Sequence, residues 1–230
     1  MTDRWRKYFN KQGAFGLDWL TAAVAHWGFH EVLYGTVQGQ CPPPASILDV
    51  GCGPGWSDLY LSSAGYGVTG IDCDASLVEH ARKLAKRFVM PTNYELADAF
   101  DLASYHGRFD LVYSCGVLEH FDRQVTIDLL KEQAKCAPLV LIQIPSRFTA
   151  YTGKITDERI YTPKELRHIV VEADLSVKVC FGYGDVTATR SQVWLRRLLP
   201  RAVYRYLQNF GFAYSIAVLG ERKDRFISPS

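Results

Sequence analysis

At 230 residues the chain suits one α/β domain with additions, a size at which roughly 70% of the unfolded surface can be buried. Its net charge of +2 gives no overall electrostatic case for nucleic acid or a membrane, and no stretch approaches the ~18 apolar residues of a membrane span. Residues 1–7 carry no apolar signal core, and Cys41, Cys52, Cys73, Cys115, Cys136 and Cys180 form neither a C-x-x-C pair nor a His-linked zinc spacing; the expectation is a cytoplasmic protein with reduced thiols.

From Trp5 to Gly39 there is no strand alternation, but eight aromatic residues recur. Two helices are expected, near Leu17 to His26 and His30 to Val37. Cys41 to Ala45 (CPPPA) reads as a stiff spacer. Ile47, Leu48 and Val50 then read as a buried parallel strand. It carries Asp49 and opens into Gly51-x-Gly53-x-Gly55, where glycines let the backbone turn sharply and let a ligand approach the main chain. Pro54 suits a helix start, and the helix expected over Trp56 to Ala64 turns its free N–H groups toward that ligand.

A second apolar run, Val68 to Ile71, ends at Asp72, twenty-one residues beyond Gly51. In nucleotide-binding α/β folds an acid at about this distance takes a ribose hydroxyl pair. A dinucleotide fingerprint is G-x-G-x-x-G or A. Here the third glycine comes one residue early and Trp56 stands where the fingerprint wants a small residue, so NAD is not expected.

From Ile47 to Ile144 strands and helices alternate at βαβ spacing, which implies a parallel sheet with right-handed crossovers. Ligands of such sheets sit outside the strand carboxyl ends at the switch point, here between the first and fourth strands. Asp49, Asp72, Asp98 and the loop from Ser114 to His120 converge there. After Ile144 an irregular segment runs to about Ile160, and a second insertion runs from Gly182 to Phe212. Its middle, Ser191 to Leu207, has a helical apolar stripe interrupted at Pro200, with Arg190, Arg196, Arg197, Arg201 and Arg205 among the apolar residues. Residues 190–230 hold eight Arg or Lys against two acids. Three readings stand for this insertion: a solvated face beside a packed one, a cap over an anionic substrate, or a weak membrane-surface contact.

Gly51-x-Gly53-x-Gly55 after Asp49 resembles the first motif of class I S-adenosylmethionine-dependent methyltransferases, small-molecule type. Other segments fit that family in order. Gly70 to Asp72 followed by Ala75 to Arg87 is similar to its second strand and helix, Ala97 to Ala99 to its adenine-contacting loop, and Phe109 to Phe121 to its fourth strand and following loop. Tyr161 to Leu166, Ala173 to Leu175 and Ile216 to Gly220 complete the pattern. The resemblance covers roughly residues 45 to 185 and 212 to 223.

It implies an α/β, Rossmann-like, seven-stranded, mostly parallel sheet of order 3-2-1-4-5-7-6, with helices on both faces and helical additions as a lid. Residues 1–44 would be a helical N-terminal lid, 45–223 the methyltransferase domain with a helical insertion at about 183–212, and 224–230 a C-terminal tail. The implied cofactor is S-adenosyl-L-methionine. The turn of Asp49, Gly51, Cys52, Gly53 and Gly55 would hold its methionine part, Asp72 its ribose, and Asp98 with the Ala99 N–H its adenine. Cys52, Cys73 and Cys115 would border it as small residues in a crowded site. Tyr8 and Phe9 would be the lid's contacts, the alternative being a helical layer that only covers the sheet.

Glu119 and His120 match the last two residues of the E-x-x-E-H sequence of metal-dependent O-methyltransferases in this family. Its first position is Gly116 here, so no metal is expected. Metal-free relatives keep a histidine in this place bordering the acceptor pocket, which makes His120 the candidate catalytic base or acceptor-positioning residue, with a structural histidine as the alternative. No N-P-P-Y-type tetrapeptide follows the fourth strand, no Pro-Cys pair supplies a nucleophile toward pyrimidines, and no RNA module is appended. The expected reaction is methyl transfer to O or N of a small-molecule acceptor, without DNA as a partner. The alternatives are a methyltransferase acting on protein or RNA, and a non-catalytic S-adenosylmethionine-binding protein.

Overall fold

The computed structural model describes residues 2–16, 19–149, 159–186 and 189–223. The expected tail 224–230, most of the irregular segment before Ile160, and Leu17 at the start of the first expected helix lie outside these residues. Three helices precede the sheet: α1 (Thr2–Lys11), α2 (Trp19–Phe29) and α3 (Glu31–Gln40). Helix α1 lies within the helical lid expected over residues 1–44, where no separate helix was given for it. Its aromatic residues Trp5, Tyr8 and Phe9 recur at helical spacing, but the segment is otherwise strongly polar and short. His30, expected inside the next helix, is the residue that precedes α3.

Strands β1 (Ser46–Val50), β2 (Gly67–Asp72), β3 (Asn93–Leu96), β4 (Leu111–Cys115), β5 (Leu139–Pro145), β6 (Leu175–Tyr183) and β7 (Ser215–Arg222) form one sheet of order β3-β2-β1-β4-β5-β7-β6. Strands β1 to β5 pair in parallel, and β7 runs antiparallel to both β5 and β6. The order matches the expectation. Helices α4 (Trp56–Ser63), α5 (Ala75–Arg87), α6 (Arg123–Cys136) and α7 (Pro163–Glu172) make the crossovers, and α8 (Arg190–Leu198) and α9 (Arg201–Asn209) fill the insertion before β7.

Strand alternation divides the core in two. Leu48, Val50, Val112, Val140 and Ile142 pack with Ile127 and Leu130 of α6 and Leu166 and Ile169 of α7, whereas Ile47, Leu111, Tyr113 and Leu141 pack with Leu33, Tyr34 and Val37 of α3. A third cluster joins Trp56 and Leu59 of α4 to Val78, Ala81 and Leu84 of α5. Local signals fix the helix ends. Asp74 caps α5 by accepting from Ser76 N–H at 2.8 Å, and Thr162 with Glu165 closes a capping box on α7 behind Pro163; such caps contribute about 1 kcal/mol each. Helix α4 has no such side-chain cap. Gly55 precedes it in a left-handed conformation, so Pro54 belongs to the turn and not to the helix start.

Candidate functional site

The carboxyl ends of β1, β2 and β3 are laced together by main-chain bonds. Gly51 and Cys52 N–H donate to the Ile71 carbonyl at 2.8 and 2.9 Å, and Ala97 N–H donates to the Asp72 carbonyl at 3.1 Å. Asp72 therefore lies between the glycine turn and the Ala97 to Ala99 loop. Its carboxylate accepts from Gly53 N–H at 3.0 Å and Asp74 N–H at 2.9 Å. Burial pushes its pKa up, and these N–H donors pull it back toward the charged form. Asp98 is exposed on the neighbouring loop and accepts from Phe100 N–H at 3.0 Å.

Three glycines of the turn have positive φ: Gly51 at 83°, Gly53 at 55° and Gly55 at 79°. Side chains there would be strained and obstructed. A Cβ on Gly53 would lie 2.8 Å from Phe9 Cζ, and one on Gly51 would collide with Val117. The aromatic face of α1 thus rests directly on the glycine turn.

Beneath the turn lies a carboxyl pair that the sequence reading found only by half. Asp49 is 2% exposed and Asp58 is fully buried, and each carboxyl acts on the other's ionisation. Burial and the charge of Asp58 raise the pKa of Asp49 well above the carboxylate range, and burial takes Asp58 up to about 7. Register explains the space available. Asp49 stands opposite Gly70, and a side chain at Gly70 would meet the Asp58 carboxylate, Cys52 and Tyr94. Asp49 is buried at the end of β1 and does not line the cavity described next. An acid in the first turn of a helix passes for a dipole partner, which is why Asp58 was not singled out.

A cavity of about 680 Å³ opens beside the glycine turn. Trp5, Tyr8 and Phe9 of α1, His26, Phe29 and His30 at α2, and Trp56 of α4 contribute its aromatic lining, and Cys115, Gly116, Glu119 and Gln143 contribute strand ends. The rings are continuous: Tyr8 meets Phe9 at 5.1 Å, Phe9 meets Trp56 at 6.2 Å, and His26 meets Trp56 at 5.5 Å between centroids. Cys115 donates its thiol hydrogen to Gln143 Oε1 at 2.5 Å, and Gln143 Nε2 donates to Ser215 Oγ at 2.8 Å. Burial pushes the thiols of Cys52, Cys73 and Cys115 up, so all three are protonated, and Cys52 and Cys115 pack as small residues. Cys73 is exposed after β2, outside the cavity wall.

Tyr8 and Cys115 thus enter the cavity wall as expected positions for a ligand, whereas His120 does not. Its ring packs edge-to-face on Trp5 at 4.8 Å, and its Nε2 lies 3.8 Å from Glu119 Oε1. Two other histidines line the cavity. His26 Nε2 bonds Ser57 Oγ at 3.0 Å, which also takes the Tyr34 hydroxyl at 3.0 Å, and His30 Nδ1 bonds the Tyr183 hydroxyl at 2.7 Å. Burial lowers the pKa of His26 to about 4, and burial with the neighbouring His26 lowers that of His30 well below 6.5. Both are neutral near pH 7. Their signal in the sequence is a pair of histidines four apart in an apolar helical segment.

Among the described residues no cluster of three or more His, Cys, Asp or Glu is arranged to hold a metal ion. Gly116 brings no side chain to Glu119 and His120.

Comparison with known proteins agrees with this geometry. A family described as a methyltransferase domain matches residues 47–137. A ubiquinone biosynthesis O-methyltransferase of Coxiella burnetii is 36% identical over 74 residues, 32% of this chain and 32% of that protein. A 2-methyl-6-phytyl-1,4-hydroquinone methyltransferase of Synechocystis is 36% identical over 93 residues, 40% of this chain and 26% of that protein. The matched stretch spans no more than about a third of these relatives' own length. Among solved structures, the magnesium protoporphyrin IX methyltransferase of Synechocystis PCC 6803 superposes with a TM-score of 0.62 at 17% identity, covering 88% of this chain and 82% of that one. An S-adenosylmethionine-dependent methyltransferase of Clostridium acetobutylicum superposes with a TM-score of 0.65 at 11% identity, covering 93% and 98%. Sheet order and the solved structures give the chain the fold of class I methyltransferases, and residues 47–137 match the family described as a methyltransferase domain.

Proposed function

We propose that this protein binds S-adenosyl-L-methionine across the glycine turn and transfers its methyl group to an oxygen or nitrogen of a small molecule held in the aromatic cavity. The observation that carries this reading is the junction of two features: a glycine turn bonded to the Asp72 carboxylate through Gly53 N–H, and a ring-lined cavity of about 680 Å³ beginning at that turn. The named quinone and porphyrin methyltransferases add support.

The residues present suit the cofactor. Its ribose hydroxyls suit Asp72, an acceptor already held by main-chain donors, and its adenine suits the loop carrying Asp98 and Ala99. The methionine end suits the turn of Gly51, Cys52, Gly53 and Gly55 after Asp49, with Cys73 outside β2 and with Cys115 and Tyr8 at the cavity side. When bound, the cofactor supplies an activated methyl group on a cationic sulfur. The chain's work is to exclude water with its aromatic lining and to fix the acceptor, and orientation of this kind contributes several orders of magnitude in rate.

On the acceptor side, His26 lines the cavity as a neutral imidazole and can take the proton of an acceptor hydroxyl or ammonium. His120 retains a place in the site through Trp5, whose ring it supports. Gly116 leaves no third ligand beside Glu119 and His120, so the reading includes no metal.

The test is to incubate the protein with isotope-labelled S-adenosylmethionine and, separately, a metabolite extract, bulk RNA and bulk protein, and to follow the label by mass spectrometry. Label in a small molecule alone supports the reading. Label in RNA or protein would transfer the function to a macromolecule, and cofactor binding without any labelled product would make this a binding protein.

A further inference from the structure

We propose that α8 and α9 form a docking surface for an anionic lipid bilayer. Helix α8 is closed by a capping box of Thr189 and Gln192, yet it buries no residue against its own protein. Trp194 and Leu198, one turn apart, are 62% and 72% exposed. On α9 Tyr204 and Gln208 are buried, while Val203, Tyr206 and Phe210 follow a second stripe with exposures of 44%, 63% and 69%. Large aromatic and aliphatic side chains clustered in water mark an interaction surface.

Charge selects the occupant. Between residues 186 and 220 the sequence holds five arginines and neither Asp nor Glu. Arg196 is tied to Asp185 at 2.9 Å and lies over the Tyr204 ring at 5.1 Å. Arg190, Arg197, Arg201 and Arg205 form no ion pair among the described residues. A second copy of this face would bring the same cations together, which disfavours self-association. An anionic bilayer meets both features at once: its headgroups take the arginines, and its acyl boundary takes Trp194, Leu198, Tyr206 and Phe210. The surface also adjoins the cavity, because Asp185, the partner of Arg196, is one of the cavity-lining residues.

The experiment is sedimentation of the full chain with vesicles of phosphatidylcholine alone or of phosphatidylcholine mixed with phosphatidylglycerol, a readout that does not depend on methyl transfer. Each basic residue near an anionic surface contributes roughly fivefold in binding. The expected result is at least about tenfold stronger binding to the mixed vesicles, weakening as salt shortens the screening length. Trp194→Ser with Leu198→Ser, and separately Arg197→Gln with Arg201→Gln, should each lose about tenfold or more while melting temperature and circular dichroism stay unchanged, since all four side chains are exposed. The proposal is overturned if the wild-type chain stays in the supernatant with both vesicle types, if it binds both equally, or if the variants bind as well as wild type. It is also overturned if sedimentation velocity shows a dimer that the Trp194→Ser, Leu198→Ser variant abolishes, for the face would then belong to a second copy.

Discussion

Asp72 carries the largest expected effect of a single residue on cofactor affinity. Its carboxylate is already oriented by Gly53 and Asp74 N–H donors, so Asp72→Ala should weaken S-adenosylmethionine binding by ~1.5–3 kcal/mol, the scale of hydrogen bonds to a charged group; calorimetry showing unchanged affinity would remove Asp72 from the site. At His26 the sign of the pH effect follows from its lowered pKa. An imidazole with a pKa of about 4 stays able to accept a proton until the solution is more acidic than that value, so the rate should be level from neutrality down to about pH 5 and then fall. His26→Ala should lower turnover ~10²–10⁴-fold with little change in cofactor affinity, whereas His120→Ala, acting through Trp5, should chiefly raise KM for the acceptor. A large loss of turnover in His120→Ala with His26→Ala near normal would restore His120 as the base. Asp58 makes a stability prediction instead. Because its folded-state pKa is raised to about 7 from an unfolded value near 3.9, its protonation stabilises the fold fully below about pH 4, and that contribution is lost as pH rises through 7. Asp58→Asn keeps a neutral group beside Asp49, so its melting temperature relative to wild type should climb between pH 5 and pH 8, by a few kcal/mol in stability terms. An offset that is the same at both pH values would show that the pair does not hold a proton.

At the scale of elements, helix α1 is the piece whose removal should separate folding from function. It touches the glycine turn through Phe9 and the loop after β4 through Trp5, but Phe9 is only partly buried against the third core cluster. Phe9→Ala should therefore weaken cofactor binding by about 1–2 kcal/mol through lost apolar burial while changing the melting temperature little; a large drop in melting temperature with intact binding would make α1 a structural cover only. This helix also marks the limit of what the sequence made legible. The parallel strands, the turn at Gly51 to Gly55 and Asp72 could be read directly, because they leave local patterns of hydrophobicity and turn residues, whereas the sheet order and the helix from Ala75 to Arg87 were carried by the family resemblance. The start of α4, which Pro54 was expected to mark, falls after Gly55, and the Thr162 box on α7 was not singled out. Helix α1 fell inside the expected helical lid without bounds of its own, because its segment is short and mostly polar, and His26 and His30 were passed over because a histidine in an apolar helix reads as packing until strand ends are brought to it. Asp58 needed Gly70 across the sheet to explain why a carboxyl could be buried there.

For the whole molecule, α1 lies against both halves of the site at once: Phe9 rests on Gly53 and Trp5 meets His120. On the function proposed above, this one helix would span the donor and acceptor subsites and couple their traffic with solvent. Product departure past it should then be slower than the chemical step, as is common where a cover closes a site. Rapid-quench kinetics should then show a first turnover close to one product per protein, followed by a slower steady rate that falls as solvent viscosity rises. Phe9→Ala, by loosening the cover, should shrink that burst and raise the steady rate on a tightly held acceptor even as it weakens binding. Progress curves that are linear from the first turnover in the wild type would mean that α1 moves faster than the reaction it covers.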